Sequence, residues 1–449
     1  MGRTKRIRQK RDKNSVAPSP TIHHDLYKFL SSYGWRNENH LTVSSFPSIG
    51  RGLLAKRNLS EHDLIIELPH QAMICYHTLE SDDGFVNLFS IDELECAKSS
   101  VTFQSLLSLY LLYQSDKGES SKWLAYLRSL PDSFTNPYFC KKSELYFLPE
   151  SILEKIVEQN EVIKKDFIEL TKLIRPEFKE NFTLEAFKWA FFVCNSRSVY
   201  LNGKCLEPLV DHLNFKELLS DSPDMALAPL LDLLNHSDDA ITKSQLNHSE
   251  TSIEKHSEKI KTGEIRLSYQ LFTTKSIKKF DQIFINYGAF NNTKLLIEYG
   301  FIIPNNHIDF LEFTLDDINN YIKSHQILRT MMIPKHKYKF IRDHQLDEQM
   351  FIDQTDGLNH NFQAVLGILL VPQNLYNLTQ VAFGDELKFS DIKQHATEIV
   401  RGKKMNFEKF CEGLEKQSDG LSRSGNACVE YFRESIKLID KVLEFIENL

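Results

Sequence analysis

The chain has 449 residues, more than one ordinary domain holds, and its length favours two to three domains. Its 41% apolar and 26% charged residues are typical of a soluble globular protein, which excludes a collagen, a long coiled coil and a wholly disordered chain. The net charge of −7 disfavours nonspecific binding of nucleic acid by the body of the chain.

Residues 1–20 are predicted to form a disordered basic arm. Residues 1–13 hold seven Lys or Arg against a single Asp, and residues 17–20 have the composition of a linker. Such an arm is either a solvated terminus or an element that contacts phosphate or a nuclear import receptor. No apolar stretch follows the basic residues, so the arm is not expected to be a secretory signal.

Residues 25–89 are predicted to form short strands and turns, and residues from about 91 to 195 to form a helical insert. Leu64–Leu68 is a compact apolar run that follows turn-prone residues. Within the insert, helix-spaced apolar positions predict helices over Gln104–Gln114, Ser151–Ile174 and Leu184–Val193.

Strands are predicted to return between about 225 and 303. Met225–Leu231 is apolar, Arg266–Thr274 alternates between apolar and polar residues, and Gln282–Tyr287 is rich in β-branched and aromatic residues. The polar stretch Ser237–Thr262 between them is interpreted as a loop. After Pro304 the chain is expected to be helical.

The last predicted helix is the clearest, because its apolar residues recur every three or four positions along one stripe. These residues are Val429, Phe432, Ile436, Ile439, Leu443 and Ile446. The order of strands, helices, strands and helices predicts an α+β protein. We expect a β-rich domain over residues 21–310 that contains the helical insert, followed by an all-α domain over residues 311–449.

Seven scattered cysteines without a C-x-x-C motif predict neither a disulfide framework nor a structural zinc site, and favour the cytoplasm or the nucleus. The longest apolar run, around Leu109–Tyr113, is far shorter than the roughly 18 residues of a membrane helix, so no membrane partner is expected. The motifs of P-loop, Rossmann, zincin and α/β-hydrolase proteins are absent, which weighs against those classes of enzyme.

Four short segments remain as candidates for chemistry. In residues 50–53, Gly-Arg-Gly-Leu, two glycines allow the backbone to approach a ligand, although a plain turn is the better explanation of this segment taken alone. In Asn195–Tyr200 an Arg ends an apolar helix, a position that a surface Arg also favours. Leu230–Ser237 closes an apolar run with three polar residues, as a capped strand end also does. Residues 283–288 and 298–301 each place a Tyr before a Gly at the end of an apolar run.

Together these segments resemble the SET domain family, in the branch with a helical insert typified by plant Rubisco large-subunit lysine methyltransferase. The motifs that carry the resemblance are Gly-Arg-Gly-Leu at 50–53, Asn-x-Arg-x-Val-Tyr at 195–200, Leu-Asp-Leu-Leu-Asn-His-Ser at 231–237 and Glu-Tyr-Gly-Phe at 298–301. Each motif alone is modest, but the four in this order are specific. They cover roughly residues 25–310, and the remainder is similar in general character.

The resemblance implies a protein-lysine N-methyltransferase that uses S-adenosyl-L-methionine and acts on a histone or another protein. The helical insert and the C-terminal domain would then bind the protein substrate. A free Lys has a pKa near 10.4 and is almost entirely protonated at neutral pH, so such a site must favour the neutral amine by desolvation and by the charge of the cofactor. The methyl donor and the amine must also be aligned.

The resemblance also implies roles for individual residues. Those expected to bind the cofactor are Arg51, Gly52, Leu53, Arg197, Asn235, His236 and Phe301. Those expected to line the channel for the substrate lysine are Arg197, Asp232, Tyr287 and Tyr299. Tyr287 would be the catalytic phenol, which orients the reacting groups, because a phenol with a pKa near 10 is a poor base at neutral pH. Ordinary core packing is an alternative explanation for Tyr299 and Phe301.

One position departs from the family pattern. Many SET domains place a Gly in the turn before the strand that carries the catalytic Tyr, whereas this turn is Lys278-Lys279-Phe280-Asp281. If the turn requires a positive φ at Phe280, this residue costs about 1 kcal/mol or forces another type of turn.

Two other interpretations stay open. A SET fold is also compatible with a non-catalytic module that binds proteins, and a histidine is an alternative methyl acceptor. We expect a monomer without a bound metal, and direct contact with nucleic acid only through the basic arm.

Overall fold

A computed structural model describes residues 22–46, 49–90, 94, 98–180, 182–330, 332–371, 378–384, 387–417 and 420–448. The predicted basic arm lies outside the described residues. By compactness the chain divides into a first unit, which holds the described residues before 134 and those of 157–288, and a second unit of 134–156 and 289–449. The predicted domain boundaries differ from this division and stay a prediction. None of the helices in the described ranges is both long and apolar enough to cross a bilayer.

The described part of the first unit contains three small sheets, with strand orders β1-β2-β9-β6, β3-β8-β7 and β4-β5. The strands are β1 (Leu41–Phe46), β2 (Gly50–Ala55), β3 (Leu64–Pro69), β4 (Ser198–Tyr200), β5 (Met225–Leu227), β6 (Asn235–His236), β7 (Thr242–Leu246), β8 (Ser268–Thr273) and β9 (Gln282–Ile285). Neighbouring strands are antiparallel except β6 and β9, which are parallel.

Helices occupy most of the chain between the strands of this part of the sequence. They are α1 (Ile22–Ser32), α2 (Tyr76–Glu80), α3 (Asp83–Val86), α4 (Phe103–Asp116), α5 (Leu124–Leu127), α6 (Lys142–Leu145), α7 (Glu150–Leu173), α8 (Pro176–Lys179), α9 (Leu184–Arg197), α10 (Glu250–Lys255) and α11 (Ser257–Lys261). Short 3-10 helices lie at His70–Ala72, Gly118–Ser120, Pro137–Phe139, Gly203–Leu209, Leu231–Leu233 and, further on, Leu328–Thr330.

The three helices predicted for the insert are confirmed as α4, α7 and α9. Both α4 and α9 begin at a threonine whose side chain accepts a hydrogen bond from a backbone N–H of the first turn, Thr102 from Ser105 and Thr183 from Ala186. Both helices are largely apolar and are buried on most sides. Arg197 is the last residue of helix α9, so the packing of this helix gives Arg197 a defined position.

Two predictions of secondary structure were wrong. The region from residue 25 begins with helix α1, in which Leu26 and Leu30 are fully buried, rather than with a strand. The predicted loop Ser237–Thr262 contains strand β7 and helices α10 and α11. The polar side chains of β7 are mostly exposed, and its order comes from pairing with β8, which a hydropathy pattern does not reveal.

The second unit is mainly helical. Its remaining elements are α12 (Asn292–Tyr299), β10 (Phe310–Phe313), α13 (Leu315–Ser324), α14 (Lys335–Asp343), β11 (Met350–Asp353), β12 (Gly357–Leu358), α15 (His360–Leu370), α16 (Leu378–Phe383), α17 (Phe389–Glu415) and α18 (Arg423–Asn448). The α+β class is confirmed, and the predicted apolar stripe of α18 is buried except for the half-buried Ile436. The antiparallel sheet β10-β11-β12 was not predicted, because its strands have only two to four residues.

Candidate active site

The four-stranded sheet brings three of the four candidate segments side by side. Strand β9 lies between β2 and β6, so that Leu53 pairs with Ile283 and Asn235 pairs with Phe284. The side-chain amide of Asn235 also donates a hydrogen bond to the carbonyl of Arg51, with an N–O distance of 2.9 Å. These contacts join parts of the chain that are far apart in sequence.

Gly52 allows the strands to approach closely at this point. A Cβ atom on Gly52 would lie 2.5 Å from Gln282 Nε2 and 2.7 Å from Asn235 Nδ2, distances that real Cβ atoms essentially never show. Any side chain here would therefore displace the amide that holds Arg51. Gly50 has a φ of +90°, a conformation that favours glycine. The second glycine of the motif is thus required by packing and the first by backbone geometry.

Arg197 and Asp232 form a buried ion pair. Arg197 Nη1 donates to the backbone oxygen of Asp232 at 3.2 Å and to its Oδ2 atom at 3.1 Å. The side chain of Asp232 is 1% exposed and that of Arg197 is 17% exposed. Burial raises the pKa of Asp232, and the positive charge of Arg197 opposes this rise. The pair fixes the guanidinium at the end of α9.

Tyr126 is a third member of this cluster. It belongs to the short helix α5, is fully buried, and donates a hydrogen bond from Oη to Asp232 Oδ2 at 3.1 Å. Burial, with a contribution from the charge of Asp232, raises the pKa of Tyr126 well above its usual value. Sequence reasoning missed Tyr126, because nothing in its spacing distinguishes it from the buried core aromatics Trp123 and Tyr110.

The cluster leaves one buried acceptor without a donor. Oδ1 of Asp232 has no hydrogen-bond partner in the described structure, and neither has the buried Nε2 of Gln282 beside Gly52. Arg51 lies within electrostatic range of Arg197 and Asp232; its pKa is lowered by burial first and by the charge of Arg197 second. The carboxylates of Asp232 and Asp132 oppose this lowering. Two guanidinium groups therefore lie near unsatisfied polar atoms, and the charges of the region balance.

His236 holds the start of the segment that carries Tyr287. The backbone N–H of Tyr287 donates to His236 Nδ1 at 3.1 Å, and His236 Nε2 lies 3.0 Å from Asp238 Oδ1. Since Nδ1 accepts a hydrogen bond, the proton of a neutral ring must be on Nε2, where it is donated to Asp238. Burial lowers the pKa of His236, and Asp238 opposes this shift. Both nitrogens are therefore occupied, and the ring serves as a structural support.

The phenol of Tyr287 is held in one orientation. Its Oη donates to the carbonyl oxygen of Leu234 at 2.7 Å, and its ring lies 5.1 Å from that of His236 between the ring centres. Just before this carbonyl the chain passes through Leu230, a fully buried residue with a φ of +76° and a ψ of −45°. Such a conformation costs about 1–3 kcal/mol for a residue other than glycine, and strain of this kind is concentrated at functional sites.

The structure brings eight of the predicted site residues together in the first unit. They are Arg51, Gly52, Leu53, Arg197, Asp232, Asn235, His236 and Tyr287. The other two, Tyr299 and Phe301, belong to the second unit, where their rings lie 6.1 Å apart on either side of Gly300. Burial raises the pKa of Tyr299. In the described ranges, no three His, Cys, Asp or Glu side chains are arranged to hold a metal ion.

Comparison with known proteins identifies relatives of this arrangement. A model of the SET domain family matches residues 50–288. Within this family, the sequence motifs predict a resemblance to SET domain-containing protein four, and the comparison confirms it. The Homo sapiens protein of that name is 30% identical over 68% of this chain and 65% of its own length, and the Artemia parthenogenetica protein is 27% identical over 65% of this chain and 66% of its own length. The match therefore spans slightly less than two thirds of these relatives.

Solved structures with a similar fold belong to the same family. The crystal structure of the SET domain of LSMT bound to lysine and AdoHcy matches with a TM-score of 0.61 and 17% sequence identity. The match covers 96% of this chain and 92% of the LSMT chain. At this level of identity the comparison establishes the fold.

Proposed function

Because the chain belongs to the SET domain family, we propose that it is a protein-lysine N-methyltransferase that uses S-adenosyl-L-methionine. The observation that carries the proposal is the cluster of Arg51, Arg197 and Asp232 in the first unit. Two residues after Asp232, the carbonyl of Leu234 accepts the hydrogen bond from Tyr287 Oη. A SET domain of similar fold has been solved with lysine and AdoHcy, the product that S-adenosylmethionine leaves after methyl transfer.

The residues of the first unit fit this cofactor. Its carboxylate suits the guanidinium groups of Arg197 and Arg51, because a planar guanidinium binds a carboxylate through two parallel hydrogen bonds. Its ammonium group and adenine supply donors and acceptors for the unpartnered atoms of Asp232 and Gln282. The cofactor would also contact the backbone of β2 and that of Asn235 and His236, and the role expected of Phe301 stays a prediction. When bound, it supplies a methyl group on a positively charged sulfur.

The residues around Tyr287 would prepare the amine. Leu230, Leu231 and Leu234 are buried and exclude water from the loop that supports the phenol. Exclusion of water favours the neutral amine, so the proton of the lysine leaves to solvent before the methyl group is transferred. The Tyr287 oxygen already donates to a carbonyl, and its lone pairs are suited to accept an N–H of the amine and so to orient it. We assign Asp232 and Arg197 to the channel for the lysine, and the role expected of Tyr299 stays a prediction.

Binding of the cofactor tests the first part of the proposal. Titration calorimetry on the whole chain should show saturable one-to-one binding of S-adenosylmethionine. Arg197→Ala and Asn235→Ala should each weaken it at least tenfold, about 1.4 kcal/mol. Arg266→Ala is the matched control, because Arg266 donates to the exposed carbonyl of Gly34. Absence of binding by a folded chain, or equal loss in the control, would contradict the proposal.

Transfer of a labelled methyl group tests the second part. Protein extract treated with the enzyme and labelled cofactor should contain methylated lysine, and Tyr287→Phe should reduce the rate by about two orders of magnitude while cofactor affinity stays within a few-fold. The matched control is Tyr269→Phe, whose hydroxyl bonds Ser244. Label on histidine alone would identify a histidine methyltransferase. Cofactor binding without any transfer would favour a non-catalytic module.

The partner and location form the last part of the proposal. The substrate would be a histone or another lysine-containing protein, bound by the chain as a monomer in the cytoplasm and the nucleus. The seven basic residues within residues 1–13 support nuclear entry. A fluorescent fusion that lacks residues 1–13 should leave the nucleus, whereas equal distribution of both fusions would contradict the role of the arm.

A further inference from the structure

A strongly basic segment lies in the second unit of this acidic protein. Residues 318–342 contain six Lys or Arg and no Asp or Glu, while the whole chain has a net charge of −7. The six are Lys323, Arg329, Lys335, Lys337, Lys339 and Arg342. Charge segregated in this way creates a local positive potential that favours an anionic partner.

The orientation of α14 separates its basic residues into two groups. Lys337 is buried and its ammonium donates to the carbonyl of Ile368, while Ile341 is fully buried. Tyr338 Oη donates to Asn319 Oδ1 on α13 at 2.7 Å. These three contacts fix the rotation of the helix about its axis. The opposite face therefore projects to solvent.

Three cations form a stripe on that exposed face. Lys335, Lys339 and Arg342 are spaced by four and three residues, which places them in line along one side of a helix. With Tyr338 and Asp343 they line a cavity of about 470 Å³. No acidic side chain among the described residues forms an ion pair with any of the three. Asp343 is the acidic residue of this lining, so three cations face one carboxylate and the lining keeps a net positive charge.

Exposed apolar side chains accompany the stripe in the same basic segment. Ile327 is 69% exposed and Met332 is 94% exposed, which is unusual for large apolar residues. Tyr338 is the aromatic residue of this lining and is half-buried, whereas surfaces that bind single-stranded nucleic acid stack successive bases on several aromatic side chains. An acidic segment that also contains apolar residues would complement both features of residues 318–342, the positive charge and the exposed aliphatic groups.

The spacing of the cations suits an extended peptide. The rise of about 1.5 Å per helical residue separates Lys335 from Lys339 by about 6 Å and from Arg342 by about 10 Å along the axis. Alternate residues of an extended chain lie about 6.7 Å apart on one side. We infer that the outer face of α14 binds an extended segment of a partner protein in which acidic and apolar residues alternate. This binding does not depend on the proposed methyl transfer.

Fluorescence anisotropy with a defined probe tests the inference. The probe is a labelled peptide that alternates Glu with Val or Leu, and the matched peptide has Gln in place of each Glu. The Glu peptide should bind the wild-type chain, and its affinity should fall as salt is raised. The triple variant K335E/K339E/R342E should weaken binding at least tenfold, because three acidic side chains would then face the acidic residues of the peptide.

A second triple variant controls for overall charge. K155E/K164E/K165E changes the net charge by the same amount at exposed positions of α7, and it should bind the Glu peptide like the wild type. Equal loss in both variants, or equal binding of the Gln peptide, would overturn the inference. Tighter binding of single-stranded RNA than of the peptide, lost in K335E/K339E/R342E, would assign the surface to nucleic acid and overturn it too. If K335E/K339E/R342E unfolds, K335Q/K339Q/R342Q takes its place. We expect this variant also to bind the Glu peptide at least tenfold more weakly than the wild type, and unchanged binding would overturn the inference.

Discussion

Tyr126 Oη lies 3.1 Å from Asp232 Oδ2, so two buried side chains that are 106 positions apart in the sequence share one hydrogen bond. Arg197 Nη1 contacts the same carboxylate oxygen at 3.1 Å, whereas Oδ1 has no partner. Because a buried charge with too few partners is costly, the state of Asp232 depends on both neighbours. Tyr126 is therefore a positioning residue of the proposed site.

Replacement of Tyr126 by Phe should reveal this dependence. The variant loses a hydrogen bond to a buried carboxylate, so the free energy of unfolding should fall by about 1–3 kcal/mol. The Tyr126 hydroxyl helps to lower the pKa of Asp232, and its loss should raise that pKa. The acid limb of the pH profile for S-adenosylmethionine binding should therefore move to higher pH.

A variant that loses a tyrosine hydroxyl away from the proposed site separates a loss of stability from an effect on the site. Tyr269→Phe removes the hydroxyl that donates to Ser244 Oγ at 2.9 Å, and it should lower stability without a change in the pH profile. An unchanged profile for Tyr126→Phe would show that this tyrosine has a structural role only.

Gly52→Ala should impair the site more than the fold. The new Cβ would meet the ends of the Gln282 and Asn235 side chains, which are able to move at a modest cost in stability of about 1 kcal/mol. Movement of Asn235 breaks its hydrogen bond to the Arg51 carbonyl. Calorimetry should therefore show at least tenfold weaker binding of S-adenosylmethionine.

The matched control for Gly52 is Gly402→Ala in helix α17. No atom lies within 4 Å of a Cβ at this position, and alanine favours a helix, so stability should rise slightly and binding should stay unchanged. If Gly52→Ala binds as tightly as the wild type, close approach of the strands is not needed by the cofactor.

The unusual backbone conformation of Phe280 was predictable from the sequence. The sequence indicated that the turn before β9 replaces an expected glycine, and the structure places Phe280 at a φ of +69° with its ring 53% exposed. The long amphipathic helix α18 was predicted for a similar reason, because a local pattern specifies it.

Other features depend on contacts that no local pattern encodes. The order of β7 comes from its partner β8, although its own residues are polar. The hydrogen bond of Tyr126 joins a short helix of the insert to a segment more than one hundred residues later. Sequence periodicity describes which face of an element is buried, but it does not identify the partner across a fold.

Phe280→Gly should stabilise the protein. A residue with a Cβ atom loses about 1 kcal/mol in this conformation, and glycine removes the penalty while the backbone N–H still donates to Ala55. The midpoint of denaturant unfolding should rise. Phe280→Ala keeps the strain and should give no such gain, so a similar rise in both variants would attribute the effect to the exposed ring.

His77 should make the first unit less stable in mild acid. Burial, the neighbouring His70 and the cations Lys122 and Lys261 lower the pKa of His77 to about 4. The unfolded chain takes up a proton near pH 6.5, whereas the folded chain does so only near pH 4. The stabilisation is therefore complete above about pH 6.5 and decreases by about 1.4 kcal/mol per pH unit as the pH falls towards 4.

Unfolding measured between these two pH values checks the sign. His77→Gln removes the titrating ring and should flatten the pH dependence relative to the wild type. His248→Gln is the control, because His248 lies on the polar segment before α10, and its curve should match that of the wild type. A wild-type protein that gains stability as the pH falls would contradict the assignment.

The contacts that build the site also determine when it forms. Asn235 bonds a residue 184 positions earlier in the chain, and Tyr287 bonds one 51 positions earlier. Closure of such long loops is entropically costly and comes late in folding, after helices such as α9 have formed from local contacts. A nascent or partly folded chain therefore lacks the arrangement that a ligand recognises, and a ligand bound there stabilises only the completed fold.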